Sequence, residues 1–481
     1  MNTRTHSRTH ELNMTEGPIL KKLIIYALPL IGTNLLQLLF NATDVAVLGK
    51  LVGDHAVGAV GSTHALINLM NALFIGLSAG ANVVVARYVG AKDEKGAHKT
   101  VGTSVCMALI SGFALLIIGL TCSRLFLQWM GTVPELLDDS TTYMTIYFLG
   151  APIMMLYNFI ASILRAVGDT VRPLVYLLIG GVVNVGLNIF CILVLHLDVE
   201  GVAIATVASQ LLSVILSMIA LLKSKGYGRF NIKYFKIYKE QLISVIKIGL
   251  PSGLQGMLFS LSNVLIQSNI NAFDIGSDNP VVVPGNTAAQ QLDGLIYTVG
   301  NAIALSCMAF TSQNYGAGKV DRIKKTFWNS VLFVSVAMFA IGGTILLGAD
   351  YFLRIIVSDP AVIESAKVRL TVMCLTYFMC GVMECLSYSM RALGKSLTAM
   401  IISLIGACGF RILWINTIFL LNPTLTMLYF AWPVSWFLTV VMTAFFYFRL
   451  IIKIQKNMPL KIPKKELEGG VVTAKQRGTN K

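Results

Sequence analysis

"RAVGDTVRP" runs from Arg165 to Pro173, and "RALGKSLTA" runs from Arg391 to Ala399. A second pair lies at the same offset along the chain: "YVGAKDEKGAHKT", ending at Thr100, and "YGAGKVDRIKKT", ending at Thr326. A third pair, "YALPLIG" around Pro29 and "IGLPSGL" around Pro251, falls slightly short of that offset. The four-residue slip fits a longer connection near "GSDNPVVVPGN". Three matches in order, at nearly one offset, read as an internal duplication.

The solvent of the duplicated unit follows from composition. The chain has 481 residues, of which 55% are hydrophobic and only 13% charged. Mean hydropathy is +0.72. Apolar runs near the roughly 20 residues needed to cross a bilayer recur from end to end, so most of the surface is built for lipid. Residues 1–19 lack an apolar core and a small-residue cleavage site, so they read as a cytoplasmic N-terminal segment, not a signal peptide. The net charge of +15 sits in short connections between apolar runs. That is the pattern of orientation signals, not of a nucleic-acid-binding stripe. The eight cysteines form no CxxC pair and no Cys/His cluster, so they read as small core residues. There is no GxxxxGK[ST], HExxH or GxSxG, and the six histidines are scattered. No cofactor is expected, and an enzyme is disfavoured.

Twelve spans are expected, at roughly 20–48, 56–85, 100–123, 141–164, 172–195, 199–222, 242–272, 285–312, 325–349, 365–390, 397–421 and 424–452. The polar linker 223–241 divides them into a lobe of 20–222 and a lobe of 242–452, and 453–481 is a basic cytoplasmic tail. With both termini on one side, side A, that side holds Arg87, Lys92, Lys95, Lys99, Arg165, Arg172, Lys319, Arg322, Arg391 and Lys395, among others. Side B holds Lys50, Arg124, Arg354, Lys367 and Arg369, with many acids. Side A is therefore expected to be cytoplasmic. Six spans per half make the repeats parallel, related by an axis along the membrane normal; in transporters of this build the substrate site lies near the midplane between halves. The fold class is thus all-α integral membrane, with two pseudo-symmetric six-helix lobes around a central cavity.

Polar groups at membrane depth are costly and so informative. Asn34, Gln37, Asn41 and Asp44 share one helical face. Asn184 and Asn188 share a face of the fifth span, and Thr206 and Gln210 share one of the sixth. A carboxylate, two amide oxygens and a hydroxyl suit Na+ or a proton site; the same groups would also serve as hydrogen bonds between helices. The second half has no matching cluster: Phe410 and Trp414 stand where the first has Asn184 and Asn188. It carries Asp293 and Glu384 instead, and Arg411 could pair with Glu384, either as structure or as part of a substrate or coupling route. Asn34, Gln37, Asn41, Gln255, Asp293 and Glu384 are the candidates for lining the substrate cavity. Tyr143, Tyr147, Tyr157, Tyr297, Tyr377, Met154, Met155 and Met383 suit either its apolar walls or plain packing. Pro29 and Pro251 should bend the first helix of each half.

Twelve spans split six and six, prolines in the first and seventh, "RYVGAKD" after the second, "SQNYGAGK" after the eighth and the "RAVGDT"/"RALGKS" pair together resemble the multidrug and toxic compound extrusion (MATE) transporters, over residues 15–455. The resemblance implies a plasma-membrane antiporter, monomeric, that exports organic cations and amphipathic compounds in exchange for Na+ or H+ by alternating access. It implies a cation site at Asp44, Asn184, Asn188 and Thr206, with Na+ as one candidate occupant. Some members carry Asp where this chain has Asn188, so the sequence departs from a two-aspartate proton mechanism. Small amphipathic or cationic molecules and membrane lipid are the partners implied, without nucleic acid. The alternative is a flippase for lipid-linked oligosaccharide or other lipid on a related fold. That function calls for a basic cavity, whereas the polar positions above offer acids.

Overall fold

The computed structural model describes residues 11–457, apart from Lys225 and residues 277–278. Among them every regular element is helical. The first lobe holds α1 (Ile19–Leu51), α2 (Asp54–Ala91), α3 (Glu94–Trp129), α4 (Pro134–Leu149), α5 (Ala151–Ala166), α6 (Val171–Leu193) and α7 (Val199–Lys223). The second holds α8 (Lys239–Asn271), α9 (Val282–Gly316), α10 (Val320–Leu347), α11 (Ala349–Ile356), α12 (Pro360–Cys374) and α13 (Tyr377–Ala392). It ends with α14 (Ser396–Ser403), a π-helical turn (Leu404–Gly409), α15 (Phe410–Asn416), α16 (Ile418–Leu421), α17 (Leu425–Tyr429) and α18 (Ala431–Asn457).

Among the described residues, ten segments are long and apolar enough to cross a membrane, and two bent pairs bring the number to twelve. The pairs are α4 with α5, bent by 49°, and α12 with α13, bent by 46°. The breaks fall at Gly150 and Thr376, which correspond at the offset of the sequence repeat. The duplication is therefore one of backbone shape as well as of sequence. Left-handed residues repeat at the same offset: Gly168 (φ 98°) and Gly394 (φ 83°) end α5 and α13, while Lys92 (φ 59°) and Gly318 (φ 67°) follow α2 and α9. Such residues close the ends of helices. Pro29 and Pro251 lie inside α1 and α8 as expected.

Several helices outrun their expected bounds. α2, α3, α9 and α18 all extend past the apolar runs, because the helix continues into the aqueous interface where polar residues are welcome. The tail is helical to Asn457, and residues 458–481 lie outside the described residues, as do residues 1–10. Lipid-facing stripes are plain: Ile110, Phe113 and Ile117 on α3 are each more than half exposed, at helical spacing.

The lobes meet at side A through a symmetric device. Gly90 on α2 lies against the backbone of Gln313 on α9, and Gly316 on α9 lies against the backbone of Arg87 on α2. Arg87 donates to the carbonyl of Ala392 through Nε (3.1 Å) and Nη2 (2.6 Å). Gln313 donates to the carbonyl of Ala166 at 2.8 Å. Each of these pairs, Gly90/Gly316, Arg87/Gln313 and Ala166/Ala392, is related by the repeat offset. Residues 11–18 cross the same face. Leu12 bonds to Gly168 in the first lobe (3.3 Å), and Lys319 and Arg322 in the second donate to the carbonyls of Thr15 (2.8 Å) and Gly17 (2.9 Å). Met14 is fully buried.

Candidate functional site

Three regions of the interior carry polar groups. In the first lobe, α1, α2, α4, α5, α6 and α7 enclose a cavity of about 310 Å³. Gln37, Asn41, Asp44, Asn184, Thr206 and Gln210 line it, with Tyr143, Tyr147, Tyr157, Met154 and Met155 as its apolar side. Asn188, fully buried behind it, donates Nδ2 to Asp44 Oδ1 at 2.6 Å. The same amide lies 3.4 Å from Asn184 Oδ1. Asn184 in turn donates to Thr206 Oγ1 at 3.5 Å, and Thr206 donates to the Val202 carbonyl at 2.9 Å. Asp44, Asn184, Asn188 and Thr206 thus form one connected group across three helices. Asp44 makes no ion pair among the described residues, and Asn188 Oδ1 is buried without a partner. A partly exposed carboxylate, an idle amide oxygen and a hydroxyl fit a small hard cation or a proton. Asn34 does not join them. It lies about 15 Å along the helix from Asp44 at 1.5 Å per residue, and it turns toward the second lobe, 3.5 Å from the Thr298 carbonyl.

Between the lobes lies a central cavity of about 300 Å³, lined by Tyr26, Asn82, Arg165, Gln255, Glu384 and Arg391 among others. Gln255 and Glu384, two of the sequence candidates, line this cavity. The arginines were not among those candidates. Arg165 and Arg391, expected among the side-A connections, sit in the last turn of α5 and α13 and face inward. Arg391 donates to Gln255 Oε1 at 2.8 Å and lies 4.5 Å from the Tyr388 ring. The interior is therefore less acidic than the candidate positions implied.

The second lobe holds a third polar group. Asp293 Oδ2 accepts from Arg369 Nε at 2.8 Å, with both residues buried. Arg369 Nη1 donates to Asn286 Oδ1 at 2.9 Å, and its guanidinium lies over Tyr429 and Trp432. Asn286 donates to Gln267 Oε1 at 3.0 Å. Asp293 is thus charge-compensated by the protein. Arg369 was expected at side B; its one available signal was Asp293 itself, an acid in an apolar helix that calls for a counter-ion. The pairing of Glu384 with Arg411 does not form. Arg411 donates to Ser435 (3.1 Å) and Asn263 (3.2 Å) instead.

Comparisons with known proteins agree with this architecture. The family model MatE matches residues 29–190 and 251–415, one match per lobe. The chain is 26% identical over 404 residues to the Probable multidrug resistance protein YoeA of Bacillus subtilis, covering 82% of this chain and 85% of the relative. It is 25% identical over 416 residues to the Multidrug export protein MepA of Staphylococcus aureus, covering 84% and 89%. A solved structure described as the outward-facing conformation of a multidrug resistance MATE family transporter of the MOP superfamily shares the fold, with a TM-score of 0.85 at 22% identity over 93% of this chain and 99% of that one. A MATE in the bent conformation superposes with a TM-score of 0.83 at 20% identity, over 93% of this chain and 98% of that one. With the family model matched in both lobes and a fold of this kind, the chain belongs to the MatE family of multi-pass membrane transporters, and is not an enzyme.

Proposed function

We propose that the protein is a secondary multidrug exporter that releases organic cations and amphipathic compounds in exchange for Na+ or H+. One observation carries the reading. Of the two best-positioned acids, Asp293 already has its cation in Arg369, whereas Asp44 has, among the described residues, one neutral donor and a cavity. A carboxylate held at membrane depth without a fixed counter-charge calls for a mobile one. The names of the relatives in Bacillus and Staphylococcus support export of drugs.

The mechanism is alternating access. The symmetric α2–α9 contact supports a state in which side A is closed. Ion or proton binding at Asp44 removes its charge and changes which arrangement of the lobes is favoured. A ligand shifts such an equilibrium only through unequal affinity for the two states. Asn188 holds the carboxylate and is itself tied to Asn184 and through it to Thr206; Gln37, Asn41 and the tyrosines form the surrounding wall. The plasma membrane as location, cytoplasmic termini, lipid as the surrounding partner and a monomeric state belong to the same proposal, with the coupling ion in place of any cofactor. The test is transport of ethidium by vesicles holding purified protein, with Na+ and pH gradients imposed separately. Transport driven by neither gradient would overturn it.

Arg165 and Arg391 on the central cavity favour one second reading, a flippase for lipid-linked oligosaccharide or another anionic lipid. Rescue of a strain that lacks its own lipid-oligosaccharide flippase, without any ion-driven ethidium transport, would establish that reading in place of export.

A further inference from the structure

The charges buried in the second lobe do not all cancel. Asp293 and Arg369 neutralise each other. Glu384 and Arg411 are as deeply placed, at 6% and 5% exposed, yet neither makes an ion pair among the described residues. Arg411 gives its hydrogen bonds to two neutral groups, Ser435 and Asn263. Glu384 receives none from a described residue; Arg391, two turns further along α13, donates to Gln255 instead. Both side chains line one cavity of about 230 Å³, whose other walls include Tyr297, Tyr377 and Trp436. This cavity shares Asn263, Tyr377 and Trp432 with a larger one of about 750 Å³ that reaches Leu66 and Leu69 of the first lobe.

Arg391 acts on Glu384 only through space, and a buried charge without a directly paired counter-ion is expensive to keep. A pocket lined by one charge of each sign, with aromatic side chains among its other walls, matches a guest that carries both. We propose that this second-lobe cavity is a binding subsite for zwitterionic aromatic amphipaths. The cationic end lies against Glu384 and the faces of Tyr297 and Tyr377, where ring quadrupoles add to the carboxylate. The anionic end meets the guanidinium of Arg411, whose planar fork suits a carboxylate. The ring system extends into the larger interlobe cavity. The proposal rests on the export reading for its physiological direction and not for binding itself.

Rhodamine B and its ethyl ester share one ring system and one positive charge; only rhodamine B carries a free carboxylate. Binding of each to the purified full chain, followed by fluorescence anisotropy, should favour rhodamine B by about tenfold, the worth of one charge-assisted contact. Arg411→Gln should erase that preference, and Arg411→Lys should restore part of it. Glu384→Gln should weaken both dyes alike. Equal affinity of the wild-type protein for the two dyes would overturn the proposal, and needs no variant to fold. So would a preference that survives Arg411→Gln in monodisperse protein. Gradient-driven export of the ester is scored separately, so failure of the export reading stays distinct from failure of the subsite.

Discussion

At the scale of single residues, the two lobes handle a buried acid in opposite ways. Asp44 is left with one neutral donor among the described residues, the Asn188 amide, while Asp293 is locked to Arg369. The stripe of Asn34, Gln37, Asn41 and Asp44 was legible because helical spacing puts all four on one face. That spacing alone did not show Asn34 turning away, since which neighbour a face meets depends on the fold. Arg369 was harder. A basic residue near a helix end reads as an orientation signal, and only its pairing with Asp293, on a different helix, makes it an interior group. Removing one member of such a pair strands the other, at a cost of about 3–5 kcal/mol. Arg369→Met should therefore lower the thermal midpoint in detergent markedly, and Asp293→Leu in the same chain should recover most of the loss. Equal midpoints for the single and double variants would argue that the pair contributes nothing.

Among elements, the helices that matter most are α2 and α9. Their side-A ends cross closely because Gly90 and Gly316 present no side chain to the opposing backbone. The sequence repeat announced that these positions correspond, but not that the two copies touch each other. Correspondence is a property of the pattern, and contact is a property of packing. A Cβ at either position would collide with backbone of the other lobe, which cannot move aside as a side chain would. Gly90→Val or Gly316→Val should therefore open side A. Spin labels on exposed Lys95 and Lys325 would report this as a longer and broader distance than in the wild type. An unchanged distance distribution would show that the crossing does not hold the lobes together. The bends at Gly150 and Thr376 lay within apolar runs that read as single spans. Hydropathy carries no information about a 49° or 46° change of direction.

In the whole molecule, two parallel six-helix lobes were readable from the repeat, the linker and the charge distribution, because lipid leaves few ways to arrange a chain. The interior charge balance was not readable, since Arg165 and Arg391 look like loop residues in sequence and line the central cavity in space. The N-terminal segment adds a pH-sensitive strap across side A. Burial pushes the Glu11 carboxyl above its ordinary value, partly offset by its hydrogen bond from Ser224. A raised value favours docking of the protonated form, so docking is strongest below the ordinary carboxyl range and weakens as pH rises through the raised value. Hydrogen exchange over residues 11–17 should show protection falling with pH, relative to Glu11→Gln measured under the same conditions. Parallel profiles for the two proteins would contradict this. Above all of these stands the claim that Asp44 couples ion movement to export. The direct test is gradient-driven ethidium transport by Asp44→Asn in reconstituted vesicles, with folding verified by monodispersity and thermal midpoint. Gradient-driven transport should be abolished while ethidium still binds; undiminished transport by the folded variant would rule out coupling at Asp44.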